Sequence, residues 1–479
     1  MSDQSDQDGQ PDQLEQVLTA AYRHAVAFRS GVAERPAFPP VSGEELRRLT
    51  GGDLPETGED PLLVVERLAT LGRLGSVGST GPRYFGYVIG GTFPAAAGAD
   101  WLVTAWDQNA AVQSSGPGVS VIEEVCARWL VDLFGLPDDT SVGFTTGAQM
   151  STFTGLAAAR HHLLSRAGWD VEAKGLSGAP AIRVLAGEER HASIGRALRF
   201  LGIGTDALVS IPCDGNGAMR AEALGAALDD GASGQATIVC AQAGNINTGA
   251  VDPIAEVCDL AGPGGAWVHV DGAIGLWAAA SERHRHLLDG VERADSWSAD
   301  GHKWLNAPYD CGIALCAHPD DHAAAMSVTA SYIAVSHHRG SDRRDQINWN
   351  PEWSRRARSV PVYAALASLG RRGVGELVDR NIAHARHMAE QLSSETGIEV
   401  LNEVVLNQVL VRFQGAGDAD QITTDVIHRV QEDGVCWVGG TRWQGQAAMR
   451  VSICGHNTTT DDIDRSAESI LAAFGKLGG

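Results

Sequence analysis

The stretch SWSADGHKWL, residues 296–305, sets Lys303 between a histidine and a tryptophan where an apolar run ends. Lysine is seldom buried without a partner. Its stem can carry the amine out to water, or a desolvated amine can lose its proton and bond to a carbonyl carbon. Other polar groups close apolar runs in the same way. They are Gly147, Ala148 and Gln149 in TTGAQMS, His191 after AIRVLAGEER, the segment NINT ending in Thr248, and Asp271 at the end of AWVHVD. In chain order the set offers a Gly-containing turn that opens a helix, a flat imidazole, a carboxylate and an amine.

Two carbonyl sources suit such a lysine: a substrate, or pyridoxal 5'-phosphate (PLP). PLP makes further demands, and each can be sought separately. Its phosphate needs backbone N–H donors at a helix N-terminus, which Gly147, Ala148 and Gln149 supply ahead of the helical run STFTGLAAARHHLLSRAG. Its pyridine nitrogen needs a carboxylate to stay protonated, the place for Asp271. Its ring face needs a flat partner, the place for His191. Few other cofactors need this combination.

The elements that must position these groups are legible from periodicity. From about residue 140 short apolar runs alternate with helical patterns, the signature of βαβ units and a mostly parallel sheet. Ligands bind beyond the carboxyl ends of the strands in such sheets, where the polar set falls. Before it, QLEQVLTAAYRHAVAFRSG and EDPLLVVERLATLGRLG read as helices of an N-terminal arm, after about a dozen acidic, aperiodic residues. Past residue 360 a long helical pattern with a Gly-containing break leads to an α+β module with its own small sheet. The expected organisation is a tail and helical arm over 1–85, a large domain carrying the polar set over 86–358 and a small C-terminal domain over 359–479.

A formal net charge of −22 disfavours nucleic acid and anionic membrane as partners, since both attract basic surfaces. No apolar run approaches the roughly 20 residues that span a bilayer, and the polar, acidic start MSDQSDQDGQ resembles no export signal. A cytoplasmic protein is expected. The eight cysteines form no CxxC pair, so reduced buried thiols are expected rather than disulfides or a metal site.

With these residues in view, the chain resembles the group II PLP-dependent amino-acid decarboxylases, which include the aromatic-amino-acid, histidine and glutamate enzymes. The likeness rests on HVDGAIG and SWSADGHKW, with further matches in RYFGYVIGG, IEEVCARWLVDLFGLP, ERHASIGRA and WSRRARSVPVYAALASLG. It implies the aspartate-aminotransferase-like α/β fold, PLP fold type I, and a homodimer. It also implies decarboxylation of an L-amino acid, as small-molecule substrate, to the corresponding amine and CO2. It makes Lys303 the Schiff-base lysine, Asp271 the partner of the ring nitrogen and His191 the ring stacker, with Ala273 on the opposite face. Thr248 is placed near the phenolic oxygen, His302 beside the lysine, and Ala148 with its neighbours on the phosphate. A proton donor is implied at Tyr332, in the loop-like SVTASYIAVSHHRGSDRRDQINW; phenylalanine at that position goes with aldehyde synthases, tyrosine with plain decarboxylation. Tyr84, Phe85, Gln108 and Asn109 are expected around the substrate mouth.

The chain departs from the family pattern at three points. Gly272 stands where HVDAA has alanine, and Gly147 and Gln149 replace hydroxyl residues of some relatives. Asp300 stands where several relatives carry asparagine near the phosphate; a second negative charge there is repulsive unless it turns away. Other PLP chemistry on the same fold (aldehyde synthase, aminotransferase or lyase) and a non-catalytic PLP-binding protein are the competing readings. Intact Lys303, Asp271, His191 and Tyr332 speak against the last.

Overall fold

The computed structural model describes residues 12–50, 53–231, 234–328 and 344–477. The chain opens with α1 (Gln13–Gly31), α2 (Gly43–Thr50) and α3 (Pro61–Gly75), then α4 (Pro94–Trp106) and α5 (Pro117–Phe134). Pro61, Pro94 and Pro117 stand in the first turns of their helices, where a missing N–H costs nothing. Asp60 caps α3 by accepting from Leu62 N–H at 2.8 Å.

The alternating region follows: β1 (Ser141–Thr145), α6 (Ala148–Arg166), α7 (Val171–Lys174), β2 (Arg183–Gly187), α8 (Ser193–Phe200), β3 (Leu208–Ile211), α9 (Ala221–Asp229), β4 (Thr237–Gln242), α10 (Ile254–Ala261), β5 (Trp267–Asp271), β6 (Ser296–Asp300), β7 (Gly312–Cys316) and α11 (Pro319–Met326). Its seven strands lie in the order β1-β7-β6-β5-β4-β2-β3. All neighbours run parallel except those of β7, which is antiparallel to both β1 and β6. This is the α/β, mostly parallel arrangement expected from the sequence. Strands β1, β4, β5, β6 and β7 are buried along their whole length, and β4 (TIVCAQ) and β7 (GIALC) accordingly read as near-continuous apolar runs rather than alternating ones.

Helix α12 (Ser359–Ser393) is broken at Gly370, where φ is +64° and the backbone leaves the helix. Beyond it lie β8 (Ile398–Val400), β9 (Gln408–Phe413), α13 (Ala419–Asp433), β10 (Gly439–Trp443), β11 (Gln446–Ser452) and α14 (Thr460–Gly475). These strands form an antiparallel sheet in the order β10-β11-β9-β8. A capping box between Thr459 and Asp462 starts α14. No described helix is long and apolar enough to cross a membrane, and all eight cysteines are free.

Register sets the site. Gln242, Asp271 and Ser298 stand abreast on β4, β5 and β6, while Asp300, Gly312 and Thr145 stand abreast on β6, β7 and β1. One edge of the sheet therefore carries the residues that end its strands.

Candidate active site

Asp271 ends β5 with 7% of its surface exposed. Its carboxylate accepts only long hydrogen bonds, from Ala273 N–H at 3.3 Å, Ser298 Oγ at 3.4 Å and Ser193 Oγ at 3.5 Å. A buried carboxylate held this loosely retains capacity for a strong charge-assisted bond. Gly272 is required beside it: a Cβ there would meet Leu276 Cβ at 2.7 Å and the Ser298 carbonyl at 3.1 Å. The departure from HVDAA is thus enforced by packing.

His191 follows β2, and its backbone N–H donates to Gln242 Oε1 at 3.1 Å. The ring Nδ1 accepts from Ser193 N–H at 3.2 Å, which leaves the proton of the neutral ring on Nε2. Part of the ring stays open to solvent. Its pKa is held below the ordinary value, first by partial withdrawal from water and then by Lys303 and Arg450, with Asp271 opposing. Four groups from four segments therefore share one electrostatic site.

Lys303 sits half-buried in the turn after β6, followed by the buried Trp304 and Leu305. The segment RYFGYVIGG packs against this turn: Gly90 N–H donates to the His302 carbonyl at 3.1 Å. A Cβ at Gly90 would run into the Lys303 carbonyl, so only glycine permits the approach. Beside the lysine, the His302 ring lies against Tyr309 with centroids 4.1 Å apart. Burial and then Asp300 push the Tyr309 hydroxyl up to about 12.

The turn expected to take the phosphate is Gly147 to Gln149, at the start of α6. Gly147 is pressed against the start of β7, where a Cβ on Gly312 would meet its carbonyl carbon at 2.3 Å. The Gln149 amide donates to the Ser193 carbonyl at 3.3 Å, tying α6 to α8. Ala148 N–H already has an acceptor, Asp300 Oδ2 at 3.1 Å. The expected repulsive carboxylate thus does not turn away but points at the helix N-terminus.

The remaining expectations fare differently. The Thr248 hydroxyl donates to the Asn216 carbonyl at 2.7 Å and accepts from Ala250 N–H at 3.2 Å, so it is engaged in its own turn. Phe85 is buried in the core of the small sheet, away from any mouth. Asn109 Oδ1 organises a loop by accepting from Ala111 N–H at 3.1 Å and Arg355 N–H at 3.4 Å. Gln108 is exposed and donates to the Trp106 carbonyl at 2.9 Å. Tyr84 stacks on Trp437 at 5.1 Å. Tyr332 lies outside the described residues.

Sequence reasoning missed Tyr87, Tyr309, Trp437 and Arg450. Tyr87, at φ +55°, stacks on Trp437 at 5.4 Å and is 64% exposed. Arg450 projects from β11, over 140 residues beyond the lysine, and its Nε has no hydrogen-bond partner among the described residues. Burial lowers its pKa and Tyr87 opposes the shift. Tyr87 and Tyr309 were visible in RYFGYVIGG and NAPYDCG, but nothing local marks Arg450. A cavity of about 1000 Å³ lies elsewhere, between α1, α3 and α4.

These residues suit PLP: a loosely bonded buried carboxylate, an imidazole with an open face, a lysine in a glycine-cleared turn and a helix N-terminus for the phosphate. The one discordant group is Asp300. Comparisons with known proteins agree. The pyridoxal-dependent decarboxylase conserved domain matches residues 44–414. The acidic amino acid decarboxylase of Bos taurus is 29% identical over 75% of this chain and 68% of its own. The aromatic-L-amino-acid decarboxylase of Bacillus atrophaeus is 26% identical over 90% of this chain and 88% of its own. The fold is that of Oryza sativa TDC, solved with PLP and tryptamine, at TM-score 0.91 and 22% identity, covering 99% of this chain and 100% of that one. The chain belongs to the pyridoxal-dependent decarboxylase family and is an amino-acid decarboxylase that works with PLP.

Proposed function

We propose that the protein converts an L-amino acid to the corresponding amine and CO2 with its cofactor attached to Lys303. The observation that carries this is the sharing of one sheet edge by Lys303, Asp271 and His191. PLP, when bound, supplies the sink for the electrons of the breaking bond. The chain does the rest. Asp271 holds a proton on the ring nitrogen, and three weak donors leave its carboxylate free to do so. His191 and Ala273 clamp the ring from opposite faces. Arg450, a guanidinium short of partners beside His191, draws in the carboxylate end of the substrate. Tyr332 returns a proton to the carbon that has lost CO2.

The working unit is a cytoplasmic homodimer. Leu14, Leu18, Tyr22 and Val26 recur every fourth residue along α1 and are 63%, 57%, 55% and 43% exposed. Trp101, whose ring lies 6.1 Å from that of Tyr22, and Leu102, at 48% and 50% exposed, extend the apolar surface onto α4. A second copy of the chain is the occupant proposed for it, and light scattering that returns a monomer would remove the dimer from this account.

Purified protein incubated with individual L-amino acids, scored together for CO2, amine and aldehyde, tests the reaction. Aromatic and acidic substrates come first, because the mouth presents Tyr84, Tyr87, Tyr309 and Trp437 together with one guanidinium. Amine and CO2 in equal amounts support decarboxylation. Aldehyde and ammonia as the main products would make the protein an aldehyde synthase.

A further inference from the structure

Asp300 ends β6 with 3% of its surface exposed. Its Oδ2 accepts Ala148 N–H, the first amide of α6, at 3.1 Å. Its Oδ1 lies 2.7 Å from His302 Nδ1 in an ion-pair contact too poorly aligned for a hydrogen bond, so that oxygen is buried with no hydrogen-bond partner. A Cβ on Gly147 would sit 3.9 Å from Oδ2. The carboxylate thus occupies the helix N-terminus that an anionic cofactor group needs.

We propose that Asp300 is a built-in competitor for the phosphate subsite. It holds the α6 N-terminus when the cofactor is absent and must yield it, against like-charge repulsion, when the phosphate binds. It therefore stabilises the cofactor-free chain and weakens the hold on PLP. The inference rests on reading this edge of the sheet as the PLP site, and it concerns only the phosphate end of that site. An ordinary positioning role, with Asp300 steering His302, predicts the opposite sign: removing the charge would loosen the lysine turn and weaken PLP.

The test replaces Asp300 by Asn, which keeps size and an acceptor for Ala148 N–H and removes the charge. Full-length protein is stripped of cofactor and titrated with PLP, and separately with pyridoxal, which has no phosphate. Removing a like charge from a largely desolvated site is expected to tighten PLP by about tenfold or more, with pyridoxal affinity changed by less than about twofold. The cofactor-free variant should also melt lower than cofactor-free wild type, since an anion no longer caps α6. Unchanged or weaker PLP binding overturns the proposal, as does an equal shift for pyridoxal. Should Asp300→Asn not fold, Asp300→Ser, smaller and still an acceptor, is read in the same way. Wild-type protein that binds no PLP would overturn the site assignment itself, an outcome distinct from a holoenzyme indifferent to residue 300.

Discussion

Acid should weaken this protein well above the pH at which carboxylates titrate, and His322 shows why. The ring is fully buried on α11, with Nδ1 2.8 Å from Ser141 Oγ and no partner for Nε2 among the described residues. Burial, reinforced by Arg344, pulls its pKa from 6.5 down to about 3, against a smaller opposing bond with the Trp349 backbone. Between those two values the unfolded chain binds a proton that the folded chain refuses. Stability from this group is therefore complete above about pH 6.5 and falls as pH drops below it. At pH 5 the deficit is 1.5 pH units, or about 2 kcal/mol. His269, drawn down to about 4 by burial, acts in the same direction, whereas Asp252, raised to about 6, opposes it because its folded form takes up a proton first. A difference between two proteins cancels both. Urea unfolding of wild type and His322→Gln at pH 7 and pH 5 should show the variant losing about 2 kcal/mol less over that interval. Equal losses would mean that His322 accepts its proton in the folded state, and the argument from burial would fail.

Other outcomes follow from the site. Borohydride reduction of the holoenzyme should fix the cofactor on the peptide carrying Lys303, and Lys303→Ala should lose the label while keeping its circular dichroism; a label on any other lysine refutes the assignment. Arg450→Met should raise KM by roughly 10 to 100-fold with a smaller effect on kcat, the loss of a charged hydrogen-bond partner to the substrate, and an unchanged KM would remove Arg450 from the mouth. Glu123→Ala strands the fully buried Arg355, whose Nη2 lies 2.7 Å from Glu123 Oε1; a cost of about 3–5 kcal/mol is expected in thermal or urea unfolding, and a near-neutral change would show that water or rearrangement rescues the guanidinium. Tyr332→Phe should cut amine formation by roughly 10² to 10⁴-fold, with aldehyde and ammonia appearing in air; unchanged amine production would assign the proton to another group.

What was legible in the sequence is what local pattern determines. The lysine turn, the aspartate, the histidine and the phosphate turn could be ordered because each ends an apolar run, and parallel strands deliver their carboxyl ends to one edge. The break in α12 was likewise announced by its glycines. Side-chain direction within a turn is a different matter. Thr248 closes the run Asn245-Ile246-Asn247-Thr248, in which three of four side chains are polar, and only the bond to Asn216, 32 positions earlier, decides where its hydroxyl goes. Phe85 stands beside a tyrosine in an aromatic loop, yet it faces the small-sheet core, because neighbouring residues in extended backbone point to opposite sides. Asp300 was flagged as an aspartate where relatives carry asparagine; whether it avoided or met the helix N-terminus needed the register of β6 against β7.

Arg450 explains why part of the candidate site stayed hidden. It comes from the small sheet, so its electrostatic influence on His191 depends on how that sheet docks on the lysine turn. Asn306 is the residue that fixes the docking. Three positions after Lys303, fully buried and with φ at +57°, its amide donates to the Cys454 carbonyl at 2.9 Å and accepts from His456 N–H at 2.9 Å. The same amide donates to the Trp304 carbonyl at 2.8 Å. One side chain thus joins the segment bearing Lys303 to the strand end just beyond Arg450. Asparagine tolerates the left-handed backbone and supplies both a donor and an acceptor, a combination that few residues offer. The lysine and the guanidinium are consequently set relative to each other by a buried amide rather than by the sheet edge alone, and no pattern confined to either segment could have revealed it.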